Sequence, residues 1–271
     1  MKTIWKQRLV VGSILGSLQL LLAAASEPNQ QEHSQPPRTE AVTTQDSIPQ
    51  KPASRSIRRI EGWTVRVDDR LLAPPNDKLG ERALKLLASK LIDITYVVSQ
   101  DRLLKLQSVP IVLDLNHGSL HAMQYHPSAE WLEAHGFSRD LARCVHICEA
   151  ADFARARQVH EQPWVVLHEL AHAYHDQVLG FDEPRILLAY EEFKKSGHGD
   201  ATLLFNGQKT RHYALTDHKE FFAEMTEAYF GMNDFFPFNR AELMTAEPQI
   251  YALMKTVWEE DKLVYKPMTP K

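Results

Sequence analysis

The order of periodicities along this 271-residue chain predicts an α+β domain. Two observations carry that expectation. Short runs that alternate or are wholly apolar, as strands require, are confined to the first part of the folded region, at residues 59–67, 109–114 and 145–147. Apolar residues at spacings of three and four dominate the remainder of the chain. Strands first and helices afterwards, without strict alternation, predict a small sheet, then a buried helix that carries a metal-ligand motif, then a mostly helical C-terminal half.

Residues 59–67 (RIEGWTVRV) read as a first strand. Pro74, Pro75, Asn76 and Asp77 form a turn and a helix start, and 77–100 repeats Leu79, Ala83, Leu86, Leu87, Leu91, Ile94 and Val97 at helical spacing. Residues 109–114 are a second strand, turned by Asn116, His117 and Gly118. A short helix over 128–135 has Ser128 as its cap and Gly136 as its stop. A strand at 145–147 and a helix over 150–159 come next. The motif helix opens after Gln162 with Pro163 at its first position and closes at Gly180. Further helices are expected at 186–195, at 218–230 before Gly231, and twice within 240–265, with a polar loop at 196–208. There is no internal repeat.

The flanks read differently. Residues 1–25 resemble a secretory signal peptide: Lys2, Lys6 and Arg8, then an apolar stretch, then Ala23-Ala24-Ala25 as a cleavage site. The alternative is an uncleaved anchor, but the apolar run is short and interrupted by polar residues. Export implies a secreted or periplasmic protein, on the cell surface if the segment is retained, with no stable membrane insertion if it is cleaved. Residues 26–56 are rich in Pro, Gln, Ser and Thr, too polar to offset their ordering entropy, and read as a disordered tether. The folded domain is then 57–271. Removing residues 1–25 takes away three of the 31 basic residues and none of the 35 acidic ones, moving the formal charge from −4 to −7. No basic patch is evident, so nucleic acid is excluded as a partner. Cys144 and Cys148 are poorly spaced for a bridge to each other. They read as buried thiols, or as a second metal site with His146 between them.

His168, Glu169 and His172 form H-E-x-x-H in a strongly apolar helical run. Histidines four apart lie on one helix face, about 6 Å apart along the axis. Both can meet one zinc ion, with Glu169 beside them to take a proton from a metal-activated water. The alternative is a core helix with two hydrogen-bonded histidines. A catalytic zinc needs a third protein ligand. His175 shares the face but lies about 10 Å along the axis from His168, too far for one straight helix to wrap the ion. Glu220, Glu224 and Glu227 recur at i, i+4 and i+7 in an apolar helix and form one acidic stripe. Its carboxylates are either buried beside a cation or form a solvated face.

H-E-L-A-H followed by E-F-F-A-E on a second helix resembles the gluzincin metallopeptidases, and more narrowly the catalytic domains of anthrax lethal factor and the secreted Pro-Pro endopeptidases. Tyr213, seven residues before Glu220, matches that family's site tyrosine. The resemblance spans about residues 160–232 and implies a zincin-like fold. It implies Zn2+ held by His168, His172 and Glu220. Glu169 would be the general base and Tyr213 the donor to the developing oxyanion. Glu224 would accept from the outer nitrogen of a ligand histidine. A plain core aromatic is the alternative for Tyr213. In zincins an edge strand near the metal helix binds extended substrate, and His117, His121 and His126 either line that groove or are surface and turn residues. The expected function is hydrolysis of a protein or peptide substrate. The alternatives are a zinc amidase acting on cell-wall peptides and a non-hydrolytic zinc or peptide-binding module.

Overall fold

The computed structural model describes residues 51–260. The predicted signal peptide, the tether up to residue 50 and residues 261–271 lie outside the described residues. The architecture is mixed α and β.

The run read as one strand is a hairpin, β1 (Arg55–Ile60) and β2 (Trp63–Asp68). Ile60 pairs with Trp63 across a two-residue turn, Glu61 and Gly62, at φ 48° and 90°. Two consecutive left-handed residues match the twist of the flanking strands, and glycine adopts that conformation without a Cβ penalty. The ladder begins at Arg55, so the first strand takes in two residues of the expected tether.

The sheet adds β3 (Ile111–Leu113), β4 (Gln124–Tyr125) and β5 (Val145–Ile147) in the order β1-β2-β3-β5-β4. The inner strands β2, β3 and β5 are parallel, and both edges are antiparallel. Parallel strands are covered on both faces, which is why β3 and β5 read as uninterrupted burial. Ile111 and Leu113 face the main core, whereas Val112 faces a small cluster with Leu132, Leu141 and Cys144.

Helix α1 (Asp77–Val97) buries Ala83, Leu87, Leu91 and Ile94, the stripe its periodicity predicts. It breaks at Val98, which is extended, and α2 (Gln100–Gln107) comes next, a helix the periodicity did not indicate. Ser128 caps α3 (Ala129–Ala134) by accepting from the Trp131 N–H. The helix expected over 150–159 is two short pieces, α4 (Ala150–Phe153) and α5 (Arg157–His160).

Helix α6 (Val165–Tyr174) carries the motif, and all ten of its residues are buried. Trp164 stands at its N-cap, so Pro163 precedes the helix instead of opening it. A π turn, His175–Leu179, prolongs it to Gly180 at φ 90°. Helix α7 (Pro184–Ser196) leads to a small hairpin whose first strand, β6 (Thr202–Leu203), lies inside the segment read as loop and whose second, β7 (Lys209–Thr210), directly follows it. Then come α8 (His218–Phe230), α9 (Arg240–Ala246) and α10 (Pro248–Lys255). No helix among the described residues is long and apolar enough to cross a membrane.

Helices α6 and α8 pack against each other more extensively than any other helix pair, and their ends are fixed by close approach. Gly231 ends α8 against the Trp164 indole; a Cβ there would lie 1.9 Å from a ring atom. At the other end of α6, Tyr174 stacks on Trp258 at 4.5 Å.

Candidate metal centre

Asp217 opens α8 by accepting from the Lys219 and Glu220 N–H groups at 2.8 and 3.0 Å. That cap leaves the Glu220 side chain to turn toward α6. Glu220 Oε2 lies 3.1 Å from His168 Nε2 and 3.4 Å from His172 Nε2. One atom from each residue thus converges on a common point, and the three residues can hold a metal ion. A tetrahedral ion with bonds of about 2.0–2.2 Å sets its ligands about 3.3 Å apart, close to both measured separations. Burial would raise the Glu220 carboxyl, but His172 and His168 outweigh it and hold the group well below the usual range.

The tautomer of His168 points the same way. Its Nδ1 donates to Glu227 Oε1 at 2.6 Å. In a neutral ring the proton is then on Nδ1, and the Nε2 lone pair faces the Glu220 carboxylate. Two acceptors at 3.1 Å repel unless a proton or a cation lies between them. A carboxylate behind the outer nitrogen is also the arrangement that orients a histidine toward a metal.

At His168 the carboxylate that accepts from the outer nitrogen is Glu227, with Glu224 farther off. The nearest Glu224 oxygen is 3.6 Å from His168 Nδ1, and its other oxygen is 4.0 Å from His212 Nδ1. All three carboxylates of the stripe reach His168, so the solvated-face reading does not hold. Glu224 is fully buried and Glu227 nearly so. The i, i+7 spacing of Glu220 and Glu227 is the signal that could have found it, because residues two turns apart share a face.

Glu169 is buried next to His168, and its Oε2 accepts from the Tyr125 N–H at 2.8 Å. It therefore sits between the candidate ligands and the edge strand β4. Tyr213 begins a 3-10 turn, Tyr213–Leu215, that packs on α8 immediately before it, and the residue is half-buried. Burial holds the neighbouring His212 down to about 3, so its ring is neutral. His175 is fully buried among Phe181, His218 and Phe222, in agreement with its exclusion as a ligand.

A second histidine–carboxylate cluster lies at the C-terminal end of β3. Asp114 accepts from Arg55 Nε and Nη2 at 2.7 and 2.8 Å, from His117 Nδ1 at 2.7 Å and from His146 Nε2 at 2.8 Å. His126 Nε2 then donates to His146 Nδ1 at 3.2 Å. Burial opposes ionisation of Asp114, but Arg55, His117 and His146 keep its carboxyl far below the usual range. His117 and His126 are 2% and 3% exposed, so neither is a surface histidine, and both are committed to this network; of the three, His121 alone is exposed. Cys144 and Cys148 are free buried thiols whose pKa values burial raises. No metal-ligand cluster among the described residues includes them, because His146 turns to Asp114 instead.

Neither a protein-family model, nor a curated protein, nor a solved structure matches the chain.

Proposed function

We propose that the domain is an exported, zinc-dependent peptidase of the gluzincin type, with a zincin-like fold. The observation that carries the reading is the convergence of His168 Nε2, His172 Nε2 and Glu220 Oε2 at 3.1 and 3.4 Å beside a glutamate that is not one of the three. A site that served structure alone would need the ligands but not Glu169. A zinc ion bound there would acidify a water and polarise the scissile carbonyl.

The chain's own residues supply the rest. Glu169 takes the proton and passes it to the leaving amine. Tyr213 donates to the oxygen that gains charge in the transition state. Glu227 holds His168 in the tautomer that offers Nε2 to the ion. A peptide is the favoured substrate because the resemblance implies one and because the sheet-edge strand β4, whose outward Tyr125 N–H is engaged by Glu169, borders the site where an extended chain would lie.

Metal analysis of the purified protein, with digestion of a peptide library with and without chelator, tests this. One zinc per chain and chelator-sensitive cleavage are expected. Stoichiometric zinc without cleavage of any peptide would leave the non-hydrolytic binding module, and cleavage confined to cell-wall peptides would leave the amidase.

A further inference from the structure

The geometry points to Tyr125 as a positioning residue for Glu169, acting through its main-chain N–H and held in place by a latch between its phenol and Asp176. This rests on the peptidase reading for its catalytic meaning, though not for its geometry.

The register fixes which way the Tyr125 amide points. Next to β4, the neighbouring residue His126 spends its backbone on the chain leading into β5: its N–H donates to Cys144 O and its carbonyl accepts from Arg143 N. Successive residues of a strand direct their backbone groups to opposite sides. The Tyr125 N–H therefore points off the sheet, toward α6, and meets Glu169 Oε2 at 2.8 Å. Pro127, the next residue with that orientation, has no N–H to offer. At this end of the edge, the Tyr125 N–H is the strand group that meets the glutamate.

A strand of two residues at a sheet edge has little rigidity of its own. The Tyr125 side chain supplies the missing constraint. Its hydroxyl donates to Asp176 Oδ2 at 2.6 Å and accepts from Gln177 Nε2 at 3.0 Å. Both partners belong to the π turn that prolongs the motif helix. Such turns shift the side-chain register locally and are frequent at functional sites. Burial and Asp176 both raise the phenol's pKa, so it remains a donor at neutral pH. One residue thus bridges the two ends of the motif helix's second half: its amide fixes Glu169, and its phenol fixes the strand to the helix terminus. A carboxylate held by an N–H on one oxygen is oriented without being neutralised.

Amide exchange at Tyr125, followed by NMR in the zinc-loaded protein, reads the latch without reference to activity. Tyr125→Phe removes the phenol's bonds but keeps the amide. Its exchange should accelerate roughly tenfold, as expected for loss of one hydrogen bond's worth of restraint. In the kinetic arm, kcat should fall by a similar factor while KM and zinc content stay unchanged. Asp176→Ala should reproduce both effects, and Asp176→Asn, whose amide oxygen still accepts from the phenol, should restore both. The Asp176 pair decides the matter if Tyr125→Phe does not fold. Unchanged amide exchange in Tyr125→Phe and Asp176→Ala would overturn the assignment, as would lowered thermal stability with unaltered kcat. If the wild-type protein cleaves no peptide, the peptidase reading fails, and the exchange arm still decides whether the latch exists.

Discussion

The domain contains two buried clusters of histidine and carboxylate with similar ingredients and different chemistry. At His168, His172 and Glu220, nitrogen and oxygen stand 3.1 and 3.4 Å apart, and the outer nitrogen of His168 is already spent on Glu227. At Asp114, His117 and His146, the separations are 2.7 and 2.8 Å, and Arg55 occupies both carboxylate oxygens. The first set has the spacing of ligands around an ion. The second has the spacing of ordinary charge-assisted hydrogen bonds and already contains its cation. Both sets could hold an ion by residue type and burial; on the proposed reading the source of the positive charge is what separates a metal centre from a structural hub.

The sharpest test of that contrast is the loss of Glu169. Glu169→Gln should retain zinc, since the residue is not one of the converging three, and should retain the bond from the Tyr125 N–H through its amide oxygen. Peptide hydrolysis should fall by a factor of about 100 to 10,000, the range supplied by general acid–base catalysis. Cleavage at the wild-type rate would remove the proposed mechanism. Next in size is the metal itself. Glu220→Ala should release most of the zinc, whereas Glu227→Ala should weaken binding by about 10- to 100-fold and still load at saturating zinc. Competition titration with a chromophoric chelator measures both; the opposite ranking would make Glu227 the ligand.

The Asp114 hub should respond in stability and not in metal content. Asp114→Ala leaves Arg55, whose side chain is 14% exposed, with only the longer contact to the half-exposed Asp140 at 3.6 Å. Breaking a buried pair from one side typically costs about 3–5 kcal/mol. Denaturant unfolding should show a loss of that order, with zinc stoichiometry unchanged. Loss of a second equivalent of metal would instead make the hub an ion site. Tyr213→Phe should act on rate alone. One oxyanion donor is worth about 3 kcal/mol, so kcat should drop roughly a hundredfold with KM nearly constant. An unaltered kcat would return Tyr213 to a packing role.

Local features of the fold are legible in the sequence where a single periodicity persists. Helix α8 ends where its apolar pattern ends, and α1 buries the stripe its spacing indicates. The hairpin at Glu61 and Gly62 reads as one strand because the alternation of β1 continues into β2 with little break, so a turn dipeptide passes for strand. In the site, His168, Glu169 and His172 are readable because helix spacing places them, and Glu220 because the resemblance singles it out of the acidic stripe. Spacing puts Glu220, Glu224 and Glu227 on one face without ranking them; the resemblance singles out Glu224, and which carboxylate meets His168 Nδ1 depends on how α8 crosses α6. Tyr125 leaves no such signal. Its role arises from a main-chain N–H, whose direction is set by strand pairing and carries no residue preference.

The smallest expected effect separates the hub from the metal centre by pH. Burial and the nearby His146 and His117 hold His126 down to about 3, against an ordinary value of 6.5. The native ring stays neutral where the unfolded chain takes up a proton. Its stabilising contribution is therefore complete above about pH 6.5 and is lost as pH falls toward about 3, at up to one proton, or about 1.4 kcal/mol per pH unit. Asp114 is likewise depressed, but its loss begins only below its ordinary value near 4. His126→Gln retains an N–H for His146 and does not titrate. Its stability should change less steeply than the wild type's between pH 6 and 4, whereas Asp114→Asn should flatten the curve below pH 4. Metal affinity is itself pH-dependent, so the comparison is made on chelated protein by denaturant unfolding at each pH. Parallel curves for wild type and His126→Gln would mean that His126 ionises normally in the fold.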